Sequence, residues 1–230
     1  MLRLTTETAR DLVLAAMASA AVLVLHPQGA SAQGVKLAPV DEAARDPSLI
    51  AYRKTLLQAV RARNSDAVAE LASPDVMLSF GGDAGRESLR RNLEGFENWQ
   101  GEAYWSELQR VLELGGVFLD DGAFCTPYLA CLDVPGCPEC DPYETVFVTG
   151  ENVAARAEPD LESRIVAQLS YDVLPLDVEA YSGEDWYPVR LATRRRAFVS
   201  EADARMAIDY RARFEKIGGR WHMTVFIAGD

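Results

Sequence analysis

Four cysteine residues lie within one short segment and have the clearest capacity for chemistry in this chain. They are Cys125, Cys131, Cys137 and Cys140, so only the last two have the C-x-x-C spacing. An even number of cysteines in an exported protein favours disulfides, and four thiols that include a C-x-x-C pair can also hold zinc. A C-x-x-C pair can also carry out thiol–disulfide exchange. The residue types alone therefore leave three chemistries open.

The spacing of these cysteines favours structural disulfides. A typical zinc ribbon has two C-x-x-C pairs, whereas this chain has one, so we predict no metal site. No strand-to-helix junction is predicted at Cys137, and such a junction is what lowers the thiol pKa in many redox motifs. We therefore predict two disulfides that cross-link a Cys-rich loop, residues 125–142, which has no core of its own. Three pairings are possible, and the sequence does not choose among them.

The pattern of other reactive residues does not indicate an enzyme. His222 is the only histidine after residue 32, and it lies in an alternating segment typical of a strand. No G-x-S-x-G motif is present. Carboxylates occur near predicted turns at Asp75, Asp83 and Asp120-Asp121, and we interpret them as part of a solvated acidic surface. We therefore predict no catalytic residue and no cofactor.

The first 32 residues have the pattern of a secretory signal peptide. Arg3 and Arg10 precede an apolar run from Leu12 to Leu25, and Ala30-Ser31-Ala32 forms a small-x-small site. A positive start, a short apolar run and such a site are the features of a cleaved signal. We predict cleavage after Ala32, a periplasmic or secreted protein, and no membrane span after cleavage.

The charge of the chain excludes two classes of partner. The net charge is −12, which disfavours nucleic acid and anionic membrane surfaces. Residues 33–147 carry a net charge of −9 and residues 148–230 a net charge of −3. The basic cluster Arg194–Arg196 is typical of an exposed turn. It could alternatively contact an acidic partner or the acidic first half of the chain.

Apolar spacing predicts an α+β fold. Residues 33–45 are small and polar and indicate a loose lead-in. Asp46-Pro47 marks the start of a helix, since Asp caps helices and Pro suits the first helical position. Val76, Leu78 and Phe80 alternate as a strand. Further helices are predicted near residues 66–72, 86–93 and 102–114.

A β-hairpin is predicted at the C-terminus. Residues 210–217 alternate in polarity, Gly218-Gly219 provides a two-residue turn, and residues 221–228 form the return strand. An isolated hairpin is marginally stable, so it needs a partner surface. We expect it to pack on the N-terminal helices.

The region between the cysteines and this hairpin resembles the bacterial SH3-like (SH3b) domain. The resemblance covers about residues 148–205 and departs from the family pattern at Asp185 and Ala197, where glycine is common. It implies a small β-barrel that binds a peptide or a cell-wall component, within an exported bacterial protein family. The residues that match the family pattern are Asn152, Val153, Arg156, Pro159, Leu169, Trp186, Val189 and Phe198-Val199.

The resemblance also implies where a ligand binds. In such barrels aromatic side chains line a groove that accepts extended peptides. The candidates are Tyr171, Tyr181, Trp186 and Tyr187. Strand alternation places Trp186 and Tyr187 on opposite faces, so only one of them can face the groove.

The domain organisation that follows is an insertion. An α+β domain comprises residues 33–124 and 206–230, and the Cys-rich loop leads into the barrel at 143–205. We expect a non-catalytic exported protein whose partner is a peptide, a cell-wall component or another exported protein.

A second, less extensive resemblance gives an alternative function. Tyr52–Phe80, together with Gly219-Arg220-Trp221, is similar to the cone-shaped fold of nuclear-transport-factor-2-like proteins. It implies a cone with a pocket, hence a small-molecule binder or a hydrolase with an accessory barrel.

Overall fold

A computed structural model describes residues 34–95, 101–134, 137, 140–183 and 185–229. The predicted signal peptide lies outside these ranges. The described residues form four α-helices and twelve strands, which confirms the α+β class. None of the described helices is long and apolar enough to cross a membrane.

The strands fall into two groups along the chain. Five of them form one sheet with the N-terminal helices, and the other seven belong to the segment between β3 and β11. In chain order they are β1 (Ala72–Met77), β2 (Val117–Phe118), β3 (Phe124–Thr126), β4 (Thr145–Val148), β5 (Val153–Arg156), β6 (Ile165–Leu169), β7 (Val173–Pro175), β8 (Trp186–Arg190), β9 (Arg196–Ser200), β10 (Ala204–Met206), β11 (Arg211–Ile217) and β12 (Arg220–Ile227).

The first helix begins at the predicted cap Asp46, and the second begins at a cap that was not predicted, Asn64. The Asp46 side chain accepts a hydrogen bond from the Ser48 N–H at 2.8 Å and caps α1 (Pro47–Arg61). The side chain of Asn64 accepts from the Ala67 N–H at 3.0 Å. Each bond satisfies one backbone donor that the first turn leaves free. The other helices are α2 (Ser65–Leu71), α3 (Arg86–Glu94) and α4 (Gly101–Glu113).

The predicted C-terminal hairpin forms the centre of a five-stranded sheet. The strand order is β1-β12-β11-β3-β2, and β1 runs parallel to β12. Gly218 and Gly219 have φ values of +58° and +80°, which a two-residue hairpin turn of this hand requires. Ala212 and Phe214 of β11 are buried against the helices, as the alternation predicts.

Aromatic rings fill the core between this sheet and the helices. Tyr52 meets Phe214 edge to face with ring centroids 5.7 Å apart, and Tyr104 meets Phe226 at 5.0 Å. Such contacts add stability beyond the area they bury. We find that the helical part and the last two strands share one core.

The segment between β3 and β11 forms two small sheets around a second core, not a closed barrel. The strand orders are β10-β4-β7 and β6-β5-β9-β8, and a single bridge between Leu176 and Val189 joins the sheets. The strand β7 ends at Pro175, which has no N–H to continue a ladder. The predicted barrel is therefore corrected to an all-β unit of two sheets.

The Cys-rich loop contributes to a third core, contrary to our prediction. Tyr128 and Leu129 are buried there with Phe147 of β4 and Val173 of β7. Leu37 belongs to the same cluster, so the predicted loose lead-in is ordered against the all-β unit. The sequence prediction failed because this core is assembled from separate segments of the chain, none of which shows a regular apolar period.

A buried arginine joins the all-β unit to α4. The Arg205 side chain is only 1% exposed, and its Nη1 lies 2.8 Å from Oε2 of Glu107. Its Nη2 donates to the carbonyl of Tyr210 at 3.1 Å. Arg110 of α4 donates in return to the carbonyl of Ala204 at 2.8 Å.

Loss of this arginine should destabilise the protein. Arg205→Ala leaves Glu107 with only the more distant Arg110, 3.8 Å away, and leaves the Tyr210 carbonyl without its side-chain donor. Breaking a buried pair in this way costs about 3 kcal/mol. Urea unfolding measures the change, with the exposed Arg195→Ala as the matched control. Equal unfolding free energies for the two variants would contradict the role assigned to Arg205.

Candidate functional site: a groove beside the Cys137–Cys140 disulfide

All four cysteines form disulfides, as predicted. The pairs are Cys125–Cys131 and Cys137–Cys140. No cluster of potential metal ligands occurs among the described residues. Two disulfides fit a protein of an oxidising compartment such as the periplasm or the extracellular medium.

The two disulfides differ in what they connect. Cys125 lies in the middle of β3, where it is flanked by Val117 of β2 and Arg213 of β11. Its bond to Cys131 ties this strand to the helical turn that follows. Cys137–Cys140 connects only the two ends of its own turn, where the Cys140 N–H donates to the Cys137 carbonyl at 3.1 Å.

Two cavities flank the Cys137–Cys140 disulfide, with volumes of about 520 and about 640 Å³. Both cysteines, together with Thr145, line both of them. We call the larger one the edge groove, because it lies beside the outer edge of β7. Its walls are mostly apolar and include Val35, Val173, Leu174, Pro175, Leu191 and Ala192.

The N-terminal segment determines where the edge groove begins. The Val173 N–H donates to the Val35 carbonyl at 2.8 Å, and the Leu37 N–H donates to the Tyr171 carbonyl at 2.9 Å. Residues 35–37 thereby extend the sheet beyond β7, with Lys36 opposite Asp172. β8 approaches the other end of this edge, through the bridge between Leu176 and Val189 and the bond from the Asp177 N–H to the Pro188 carbonyl. The open part of the β7 edge is the short stretch between these two neighbours, and the edge groove lies there.

One backbone acceptor faces this open edge. Val173 and Phe147 are directly opposite each other in the ladder between β7 and β4, but they are not hydrogen-bonded to each other, because the adjacent bond runs from the Val148 N–H to the Asp172 carbonyl. In such a pair, the N–H and C=O groups of both residues point away from the partner strand. The Val173 carbonyl therefore points to the open edge, and no described N–H donates to it.

Exposed side chains of both charges line the edge groove. Arg190 and Arg194 are its basic residues, and Asp141 and Glu144 are its acidic residues. Arg190 Nη2 donates to Oδ1 of the buried Asp177 at 2.9 Å. This contact fixes the direction of the guanidinium at the groove.

Asp177 also forms an ion pair with Arg196, so one residue of the basic cluster Arg194–Arg196 has an acidic partner within the chain. The hydrogen bond from Arg196 is the main cause that lowers the Asp177 pKa, and the charge of Arg190 lowers it further. Arg196 thus contacts an acid of the same all-β unit, and not the acidic first half of the chain. Arg194 faces the edge groove instead.

The structure brings together only two of the four aromatic residues predicted to bind a ligand. Tyr181 stacks on Tyr187 with ring centroids 5.7 Å apart. The Tyr187 hydroxyl donates to Oδ2 of Asp209 at 3.1 Å, and burial raises the pKa of Tyr187. Tyr187 is buried and Trp186 half-buried, in agreement with their opposite faces.

Tyr171 lies apart from that stack. It occupies a turn with φ of +56°, and its carbonyl bonds the N-terminal segment at Leu37. None of the four predicted aromatic residues lines either cavity beside the disulfide. Their role in ligand binding stays a prediction. The sequence feature that does mark the observed groove is the C-x-x-C pair, since both of its cysteines line the groove.

The Asp177 carboxylate should make stability depend on pH. Its lowered pKa means that the stabilisation is complete above the ordinary pKa of aspartate, about 3.9, and is lost as the pH falls through the lower folded value. Asp177→Asn should therefore unfold at lower urea concentration at pH 7, and the difference from the wild type should shrink below about pH 4.

Urea unfolding measured across this pH range checks the prediction. Glu179→Gln is the matched control, because Glu179 is exposed and lies in the same helical turn, residues 178–180. A difference between Asp177→Asn and wild type that stays constant with pH would contradict it.

Comparisons with known proteins add no functional assignment. No protein-family model and no curated protein matches the chain. A protein of unknown function from Mycobacterium tuberculosis aligns with 80% of this chain and 70% of its own, at 11% identity and a TM-score of 0.27. A protein of unknown function with a cystatin-like fold from Nostoc punctiforme aligns with 84% of this chain and 94% of its own, at 10% identity and a TM-score of 0.25. At these scores the similarities support no argument about fold or function.

Proposed function

We propose that this protein is a non-catalytic exported binding protein that holds an extended peptide in the edge groove. The observation that carries the proposal is an apolar groove of about 640 Å³ beside an open strand edge. The bacterial SH3-like resemblance of residues 148–205 supports the same kind of function. The peptide can be free or part of the cell wall, since both present an extended backbone.

The open edge of β7 supports a peptide rather than a compact ligand. An extended peptide can add to a sheet edge through main-chain hydrogen bonds, while pockets for alternate side chains provide specificity. Here the Val173 carbonyl is the acceptor. Pro175 has no N–H to donate, so an added peptide would bond β7 through this carbonyl. Leu174 and Leu191 form part of the apolar wall that would receive a side chain.

The charged residues of the groove indicate which groups such a peptide would carry. Arg190 and Arg194 would pair with a carboxylate, because a guanidinium can form two parallel hydrogen bonds to it. Asp141 and Glu144 line the same groove and would attract an amino group. We therefore propose a peptide that carries both a carboxylate and a basic group.

Export would place this groove outside the cytoplasm. We propose that the signal peptide is cleaved after Ala32, which leaves Gln33 as the first residue of the mature chain. The partner would then be a peptide of the periplasm, the cell wall or the medium.

The alternative, a small-molecule binder or hydrolase with a cone-shaped pocket, has less support. The interior of the helical part is filled by the aromatic core. Two cavities of about 510 and about 440 Å³ reach this core at Phe118, Tyr52 and Trp221, but neither is lined by Phe124, Phe214 or Phe226. Asp83 and Asn92 do form a hydrogen bond of 3.2 Å near Tyr104, but no described cavity lies beside them. The edge groove is therefore the better-supported site.

Filling the edge groove should abolish peptide binding. Ala192 is exposed on its wall, so Ala192→Trp should weaken binding at least tenfold without changing the fold. The probes are a phage-displayed heptapeptide library and purified peptidoglycan, with retention measured for both. The wild type should enrich peptides that carry a carboxylate.

The matched control is Ala202→Trp, which places the same side chain on an exposed turn outside the groove. It should retain peptides as the wild type does. Equal retention by Ala192→Trp and wild type, or no enrichment by the wild type, would refute the proposed function.

A further inference from the structure

We propose that Cys137–Cys140 is an exchangeable disulfide, which reacts with the thiols of a cysteine-containing peptide in the edge groove. The inference deepens the proposed function and rests on it for the identity of the substrate. The exchange chemistry itself rests on the position of the disulfide, which is independent of any peptide.

The first argument is access. Cys137 and Cys140 are both partly exposed, and both line the two cavities that flank their bond. A peptide in either cavity would therefore bring its own thiol next to a sulfur atom of this pair. Thiol–disulfide exchange needs such an approach, because a thiolate must attack one sulfur directly.

The second argument is that the fold does not depend on this bond. Cys137–Cys140 joins no two strands or helices, whereas Cys125–Cys131 ties β3 to the turn that follows it. Opening the Cys137–Cys140 bond should therefore leave both sheets in place.

The third argument is that backbone hydrogen bonds hold both cysteines in place. The Cys137 N–H donates to the Val134 carbonyl and the Cys140 N–H donates to the Cys137 carbonyl, both at 3.1 Å. These bonds do not involve sulfur, so they are available to the dithiol form as well. They would keep the two thiols close together, which favours rapid reclosure of the ring.

The charges near the pair act in opposite directions. Asp133, Asp141 and Glu144 lie on the walls of the two cavities and disfavour a thiolate, whereas Arg190 and Arg194 favour one. Among the described residues, no helix begins beside the pair.

The reaction balances with the disulfide as the electron acceptor. A peptide thiolate forms a bond to one sulfur of Cys137–Cys140, the bond between the two cysteines breaks, and the other cysteine leaves as a thiolate that takes a proton. A second thiol of the same peptide then attacks the mixed disulfide. The peptide dithiol loses two electrons and two protons and becomes a disulfide, while Cys137 and Cys140 become thiols. A low-molecular-weight disulfide such as glutathione disulfide can restore the starting state by the same steps.

Titration with glutathione tests the exchange without any peptide. The folded protein is equilibrated in buffers of increasing reduced glutathione, free thiols are alkylated, and the modified cysteines are located by mass spectrometry. Cys137–Cys140 should be half reduced at a thiol concentration at least tenfold lower than Cys125–Cys131, with an unchanged far-UV circular dichroism spectrum. If both disulfides open together, or only as the protein unfolds, the proposal is wrong.

A second measurement uses a synthetic decapeptide with two cysteines as the electron donor. The wild type should oxidise one peptide for each Cys137–Cys140 bond that is reduced, and the Cys137→Ser/Cys140→Ser double variant should oxidise none. Ala202→Trp should react as the wild type does. Equal oxidation by the double variant would overturn the proposal. A failed glutathione titration would refute the exchange alone, because the proposed binding function is tested separately by the peptide library.

Discussion

The pairing of the C-terminal hairpin with strands from the first half of the chain is the constraint on which the rest of the structure depends. β12 lies between β1 and β11, and β11 pairs in turn with β3. The sheet therefore has the last residues of the chain at its centre and earlier residues at its edges. Without Phe214, Met223 and Phe226 the four helices would have no surface on which to bury their apolar faces.

This arrangement also determines how the all-β unit is attached. Ala212 lies directly opposite Thr126 in the ladder between β11 and β3, so the inserted segment leaves and re-enters the sheet at one place. Thr126 is further fixed through its hydroxyl, which lies 2.7 and 2.6 Å from the carbonyl oxygens of Val111 and Gly115 and can donate its one proton to either. The pair Arg205–Glu107 and the third core add two further contacts. The edge groove thus lies on a unit that is held at several points.

Local signals in the sequence predicted the parts of the fold that depend on few residues close together. The Asp46 cap, the Gly218-Gly219 turn and the even number of cysteines each have a physical basis within a short segment. β1 was expected near Val76 but begins at Ala72, because Pro74 is tolerated on an edge strand. The closed barrel was wrong, because alternation predicts strands but does not show which edges pair.

The candidate site was harder to predict than the fold. Its walls come from residues 34–35, the C-x-x-C turn, β7 and the segment after β8, and each contributes only a few side chains. The predicted aromatic residues are the most conspicuous side chains of the region, but Tyr187 is used for packing and for its bond to Asp209. Tyrosine serves both purposes in proteins, and the sequence does not distinguish them.

The docking of residues 35–37 beside β7 has a practical consequence for any fusion protein. The chain enters the fold at Gly34, the residue before this segment, which lines the edge groove. An affinity tag or linker joined directly to Gly34 would be tethered beside the groove at an effective concentration of the order of millimolar. It would act as an intramolecular competitor in any assay of the proposed peptide binding. A tag after Gly229 would avoid this competition, because the C-terminal strand ends at Ile227 in the other sheet.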